Sequence, residues 1–519
     1  MLDDIVMKFD IASRVNIHDI YQFEIKLEYN LARLQETNNY KIETFFFIPH
    51  SLQINQNTYP KEEFYKDLQN YIRFKTPSYS LKLLLDPAFD KSPFFVIRDN
   101  FNKIKLEKDY KKRIRLFKGC IKELKLLGVM VRVRLRDVMY FIERSLEEPE
   151  PKLPYLVSRL ERLFRRSVAV LEYLRELFGE FRANFPEEKE LFKYFRTVEE
   201  FLSGLIEEEF VRMFQILKKK LANNFCFDAL SDQFKEFCVV EKQKRAREGF
   251  ELIIGKDELS KERYIHHMVQ YKKMVASVLY LDILREKGDV AYSNLIGASA
   301  AFSASMVYFL LTFFISKNFA LNSFPFILLL SLGYVFKDRI KEYVKLILNP
   351  SVLSKFPDHI TKIRDISEEG SVKLGEIREK CFHTTKDKID PLVLEYRDKT
   401  RPSLFLPEEE PEDIMVYQKE ININTADIRK THTRTVNLTD IMRFNVHKYL
   451  EKMDDAVQPI YYYDEEEGKM TSALGDRTYH VNLVLKYSEF RENAERIRYE
   501  RYRVVLNKLG IQRVESIEV

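Results

Sequence analysis

Residues 290–316 read VAYSNLIGASAAFSASMVYFLLTFFIS, 27 consecutive positions without a formal charge in a chain whose mean hydropathy is below zero. A helix rises about 1.5 Å per residue and the hydrocarbon core of a bilayer is about 30 Å thick, so about 20 apolar residues suffice to cross it. Residues 295–315 meet that length. After Ser316, Lys317 and Asn318 comes a second uncharged run of 19 residues, NFALNSFPFILLLSLGYVF at 318–336, which ends at Lys337, Asp338 and Arg339. Asn322, Ser323 and Pro325 stand at its start, where a helix tolerates proline because its first N–H groups lack helical partners. The stretch reads as a two-helix transmembrane hairpin over residues 289–337. Two alternatives stay open. Ser293, Ser299, Ser303 and Ser305 suit a helical hairpin buried in a soluble core, and the shortness of the second run suits a re-entrant hairpin dipping into one leaflet.

Gly297, Ala301 and Ser305 recur every fourth residue and give one helix face a strip of small side chains on which a neighbouring helix can sit, either the second run or another copy of the chain. Lys272, Lys273, Arg285 and Lys287 precede the apolar stretch, and Lys337, Arg339, Lys341 and Lys345 follow it. The connecting turn carries only Lys317. This asymmetry places both termini on the cytoplasmic side of an inner or plasma membrane. The first ten residues hold acids where a secretory signal needs basic charge, so nothing reads as directing residues 1–288 outward.

Outside this stretch, 85 Lys and Arg against 80 Asp and Glu, with 45% hydrophobic residues, exclude the disordered and low-complexity classes. Glycine, 14 in 519, is scarce against the usual share of about 7%, which disfavours folds built on phosphate-cradling loops and favours helix. Four scattered cysteines suggest a reducing compartment. In residues 21–29, YQFEIKLEY, apolar and polar side chains alternate with the period of a half-buried strand. Residues 41–48 suggest its hairpin partner, and residues 61–73 a short helix. From about residue 105 the period becomes 3.6, as in Leu156, Leu160, Leu163, Leu171 and Leu174, with Arg159, Arg162, Arg165 and Arg166 mostly off that face. Residues 339–348 suggest an interfacial amphipathic helix, and residues 438–453 another helix. Residues 479–485 and 502–519 read as strands.

The fold class read from the sequence is therefore an α+β multidomain membrane protein, mainly a helical bundle or stalk, with a two-helix transmembrane hairpin and small β-containing domains near both ends. The segments are a small α+β domain (1–104), a helical bundle or coiled-coil-like stalk (105–288), the hairpin (289–337), a juxtamembrane amphipathic helix and helical linker (338–399), and an acidic, Pro-rich linker followed by a β-containing domain (400–519).

Catalytic patterns are weak. Gly370 and Gly375 have the Walker spacing, but Glu376 and Ile377 stand where lysine and a hydroxyl residue are needed, and no Gly-x-Gly-x-x-Gly occurs. His266 and His267 lie about 100° apart on a helix, and Cys381 with His383 supplies only two metal ligands, so no metal or cofactor is called for. The acid runs at 207–209, 408–410 and 464–467 read as solvated faces. Charge is the stronger signal: residues 103–136 hold 13 Lys or Arg and 3 Asp or Glu. Lys111, Lys112, Arg113, Arg115, Lys118, Arg132, Arg134 and Arg136 are candidates for meeting an anionic surface. Lipid headgroups, an acidic protein and the chain's own helices around Glu199 and Glu207 are the partners considered, and nucleic acid ranks below them because no reader motif accompanies the charge. The leading expectation is a membrane-anchored, cytosol-facing interaction, scaffold or sensory protein that self-associates. The alternative is a membrane-bound hydrolase or transferase acting through its C-terminal domain.

Overall fold

Phe45, Phe46 and Phe47 are consecutive and all buried, a pattern that only a strand covered on both faces can satisfy. The computed structural model, which describes residues 11–30, 37–219, 225–252, 257–320, 323–353, 356–367, 370–398, 411–431, 434, 437–466, 468–491 and 494–517, places them in the middle of a large antiparallel sheet. The chain forms two compact units, residues 1–72 with 281–519, and residues 73–280.

The first unit begins with β1 (Ile11–Ile17), β2 (Gln22–Asn30), β3 (Thr37–Pro49), α1 (Lys61–Asp67) and β4 (Leu68–Phe74). The second unit supplies α2 (Leu81–Leu84), α3 (Pro93–Leu106), α4 (Tyr110–Leu146), α5 (Leu153–Asn184), α6 (Lys189–Lys218), α7 (Phe225–Glu248) and α8 (Glu258–Ala276). The first unit then resumes with β5 (Asp282–Lys287), α9 (Gly288–Asn318), α10 (Phe324–Leu353), β6 (His359–Ser367), β7 (Gly370–Thr384), α11 (Pro391–Asp398), β8 (Glu412–Asn424), α12 (Thr425–Thr431), β9 (Asn437–Asn445) and α13 (His447–Leu450). It closes with β10 (Val457–Asp464), β11 (Lys469–Asp476), β12 (Tyr479–Arg491), β13 (Ala494–Asn507) and β14 (Gly510–Ile517).

Eight strands form one sheet in the order β14-β13-β12-β3-β8-β7-β6-β5, four form another in the order β1-β2-β9-β4, and β10 and β11 form a separate ribbon. The two end regions expected to be separate β domains are therefore one unit, because β3 pairs with β12, with Phe47 opposite Asn482. β2 behaves as its alternation implies, burying Phe23, Ile25, Leu27 and Tyr29. Its partners are β1 and β9 rather than the expected β3, since a strand buried on both faces takes neighbours inside the larger sheet. The helix expected at 61–73 stops at Asp67 and continues as β4, and the one expected at 438–453 is mostly β9 with one short turn of helix after it. The ion pair between Lys419 Nζ and Asp440 Oδ2 (2.5 Å), with both side chains 1% exposed, lies between β8 of the large sheet and β9 of the small one. Tyr29 donates to the same carboxylate at 3.1 Å.

The second unit, residues 73–280, is helical from α2 to α8. α4, α5 and α6 run for 37, 32 and 30 residues, and the strand-like alternation at 131–135 lies inside α4, where length prevails.

The two-helix transmembrane hairpin is corrected. Among the described residues one helix, Asn294–Asn318, is long and apolar enough to cross a membrane. The second helix starts at Phe324, six residues after the uncharged run begins, and continues unbroken through Lys337, Asp338, Arg339, Lys341 and Glu342. Its uncharged part is residues 324–336, a rise of about 20 Å and short of the 30 Å core. The amphipathic segment at 339–348 is the continuation of this helix. The Pro-rich acidic stretch lies largely outside the described residues.

Candidate functional site

The apolar helices spring from the edge strand β5 and its neighbour β6, and the residues at that root hold it tightly. β5 pairs antiparallel with β6, Lys287 opposite His359, so α9 leaves the sheet beside the point where the chain returns from α10. Gly288 opens α9 and donates its N–H to the Asp358 carbonyl at 2.9 Å. A Cβ at this position would lie 2.2 Å from the Pro357 carbonyl oxygen, so glycine is required by space. The Asp358 carboxylate accepts from Lys61 (2.6 Å), Tyr65 OH (3.0 Å) and the Cys381 N–H (2.8 Å).

One strand over, Glu379 is buried and accepts from Tyr417 OH (2.5 Å), Asn70 Nδ2 (2.6 Å) and Thr361 Oγ1 (3.4 Å), while the Arg285 guanidinium of β5 approaches at 3.3 Å. Arg285 also covers the Tyr65 ring, 5.1 Å from its centroid. Burial, then the Glu379 charge, pushes the Tyr417 hydroxyl far above its ordinary pKa, and burial, then Asp358, does the same to Tyr65. Both phenols stay protonated and donate. With both Glu379 oxygens engaged, this arrangement holds β5 in place and has no free acceptor for a substrate proton.

Beyond the root the two helices run antiparallel. Tyr308 and Tyr334 meet edge to face with centroids 6.1 Å apart, and Lys337 Nζ lies 4.2 Å from the Tyr334 centroid and 5.8 Å from that of Tyr308. A Cβ on Gly333 would come 2.8 Å from Leu311, the signature of close helix approach. The buried row of α9 is Ile296, Ala300, Ala304 and Ile315. The small strip Gly297, Ala301 and Ser305 lies one residue further round; Ser305 is exposed, Ala301 half-buried, and a Cβ on Gly297 would meet nothing within 4 Å. Elsewhere the pair is apolar and outward-facing: Phe302 is 73% exposed and Phe309 69%, with Phe313, Phe314, Phe324, Ile327 and Leu332 also exposed.

The eight basic candidates all lie on α4 but do not form one patch, since Lys111 and Arg136 are 25 residues apart, about 37 Å along the helix. Arg113 lies over Phe117, and Arg136 pairs with Asp137. Arg132 is half-buried, and desolvation, then Arg136 and Arg73, lowers its pKa. Lys111, Lys112, Arg115 and Lys118 are exposed near the start of the helix. Arg134 instead joins Arg159, Arg162 and Arg166 of α5 around a cavity of about 220 Å³. The chain's own acids are otherwise engaged: Glu199 with Arg175 (2.6 Å), and Glu207 with Arg245.

Comparison with protein-family models, curated proteins and solved structures returns no match.

Among the described residues no three His, Cys, Asp or Glu side chains gather as metal ligands. Cys381 is buried with its thiol pKa raised, and His383 Nε2 lies 2.9 Å from the Tyr59 carbonyl oxygen. A cavity of about 420 Å³ opens in the first unit, where Glu376 on its lining is held below the usual carboxyl range by Lys373 despite partial burial, with Arg378 adding to the effect. Sequence reasoning missed the β10–β11 ribbon. One of its faces carries Tyr461 (80% exposed), Tyr463, Met470 (90%) and Leu474, a period-2 apolar pattern that was legible in the sequence of the two strands.

Proposed function

We propose that the protein is a membrane-held interaction module that inserts the α9–α10 pair into a bilayer from one face without crossing it. The outward exposure of Phe309, Phe313 and Phe314 on α9 and of Phe324, Ile327 and Leu332 on α10 carries this reading, because soluble monomers keep contiguous exposed apolar surface small. The antiparallel pairing of β5 with β6 supports entry and exit on the same face. Tyr308, Tyr334 and Lys337 suit the headgroup level, where amphipathic rings and basic side chains concentrate. From Tyr334 back to Phe324 is ten residues, about 15 Å, which matches one leaflet of a core about 30 Å thick. Lys337, Arg339 and Lys341 would then meet anionic headgroups on the cytoplasmic face, and the two folded units would be held there to engage partners.

The test labels single introduced cysteines with a membrane-impermeant maleimide in sealed vesicles of each orientation, with the native chain as the blank. Tyr343→Cys should react from one side only, and Lys317→Cys at the far end of the pair from neither. Reaction of Lys317→Cys from the side opposite to Tyr343→Cys would overturn insertion without crossing.

A further inference from the structure

The cavity between α4 and α5 is lined by four guanidinium groups, and no acidic side chain lines it. Arg159, Arg162 and Arg166 follow the i, i+3, i+7 spacing that puts them on one face of α5, and Arg134 comes from α4 over a floor that includes Val138 and Leu163. Arg159 is oriented in advance by the Tyr155 hydroxyl (2.9 Å) and by the Phe141 ring, whose centroid is 4.1 Å away. Arg134, Arg162 and Arg166 make no ion pair, hydrogen bond or ring contact among the described residues.

Elsewhere the same unit pairs its arginines with carboxylates. Arg175 is clamped by Glu199 and by two bonds to Glu241 (2.7 Å each), and Arg245 is paired with Glu207. Arg134, Arg159 and Arg166 are half-buried and Arg162 is exposed at the rim, and because like charges three and four residues apart repel, an external anion would relieve the repulsion among them. Guanidinium forks match the oxygens of phosphate in pairs. A volume of about 220 Å³ is below the about 300 Å³ at which sites for whole drug-sized ligands begin, and suits one or two phosphoryl groups.

We propose that this cavity binds the phosphate moiety of a phosphate ester or anhydride, either on a soluble compound or on a lipid headgroup. The proposal stands on the helical unit alone, so it survives if the α9–α10 pair proves not to enter a membrane, and the reverse also holds.

The test is calorimetric titration of the purified full chain in uncharged detergent, first with pyrophosphate and then with micelles doped with phosphatidic acid or, as control, phosphatidylcholine. The expected result is saturable binding at one site per chain. Arg134→Gln/Arg162→Gln should weaken it by about tenfold or more, while Arg182→Gln, an exposed α5 arginine outside the lining, leaves it unchanged. Binding of pyrophosphate assigns a soluble source, and binding of phosphatidic acid micelles alone assigns a lipid one. Circular dichroism confirms that the double variant folds, and Arg166→Gln replaces it if it does not. Absence of saturable binding to both probes, or equal binding by a folded variant, overturns the proposal.

Discussion

Replacing Gly288 by alanine tests how rigidly the apolar helices are rooted. The added Cβ would sit 2.2 Å from the Pro357 carbonyl oxygen, where a carbon and an oxygen normally stay about 3.3 Å apart, so one backbone segment must move by about 1 Å. That motion breaks the 2.9 Å bond from the Gly288 N–H to the Asp358 carbonyl, at a cost of about 1 kcal/mol. Overpacking adds about 1–3 kcal/mol. Alanine returns up to about 1 kcal/mol through its helix propensity at the start of α9, leaving a net loss of about 1–3 kcal/mol. Local opening at β5 and β6 should therefore become about 5- to 150-fold more frequent, read as faster hydrogen exchange of their amides by mass spectrometry. Gly297→Ala is the matched control, since its Cβ meets nothing within 4 Å, and exchange at the root should not change. Equal exchange in Gly288→Ala and the native chain would refute the tight root.

Three further outcomes follow from the same physics. Lys419→Met leaves the buried Asp440 charge without its partner and should lower stability by about 3–5 kcal/mol, while Lys419→Met/Asp440→Leu should recover most of it; urea titration of both variants decides, and a neutral single variant would contradict the buried pair. Burial pushes the Glu241 carboxyl up, but Arg175, Ser203 and Lys244 outweigh it and hold it below its ordinary value of 4.5, so its stabilising contribution is complete above that value and lost as the pH falls below it. Glu241→Gln should flatten the acid side of the helical unit's stability profile, measured by thermal melts between about pH 3 and 6. Burial raises the Cys120 thiol to about 12 and the Cys238 thiol to about 11, so at pH 8 iodoacetamide should modify Cys238 before Cys120, both far more slowly than in urea, as resolved by peptide mass spectrometry.

What the sequence disclosed follows the range of the interactions involved. β2 was legible because one face is buried and its period is local, and the long helices were legible because periodicity persists for 30 residues or more. The pairing of β3 with β12 was not, because it joins positions more than 400 residues apart and leaves no local trace. β4 and β9 were misread as helix because each borders a short true helix and its apolar spacing suits either period. The second apolar run was measured by its lack of charge, whereas its helix begins only at Phe324. The small strip on α9 was sought on the right principle one residue away from the buried row that holds Ala300 and Ala304. Of the basic candidates only Arg134 enters the arginine cavity; the other three come from α5, where their spacing was visible but their meeting with α4 was not.

If the proposal holds, the exposed apolar surface of α9 and α10 resides in a membrane. Extraction of membranes containing the native full chain with carbonate, urea and detergent in parallel, with tags at both termini, tests it most directly. Release by detergent alone is expected, with both tags open to protease from the same side. Release by carbonate or urea would contradict it and return the α9–α10 pair to a soluble surface.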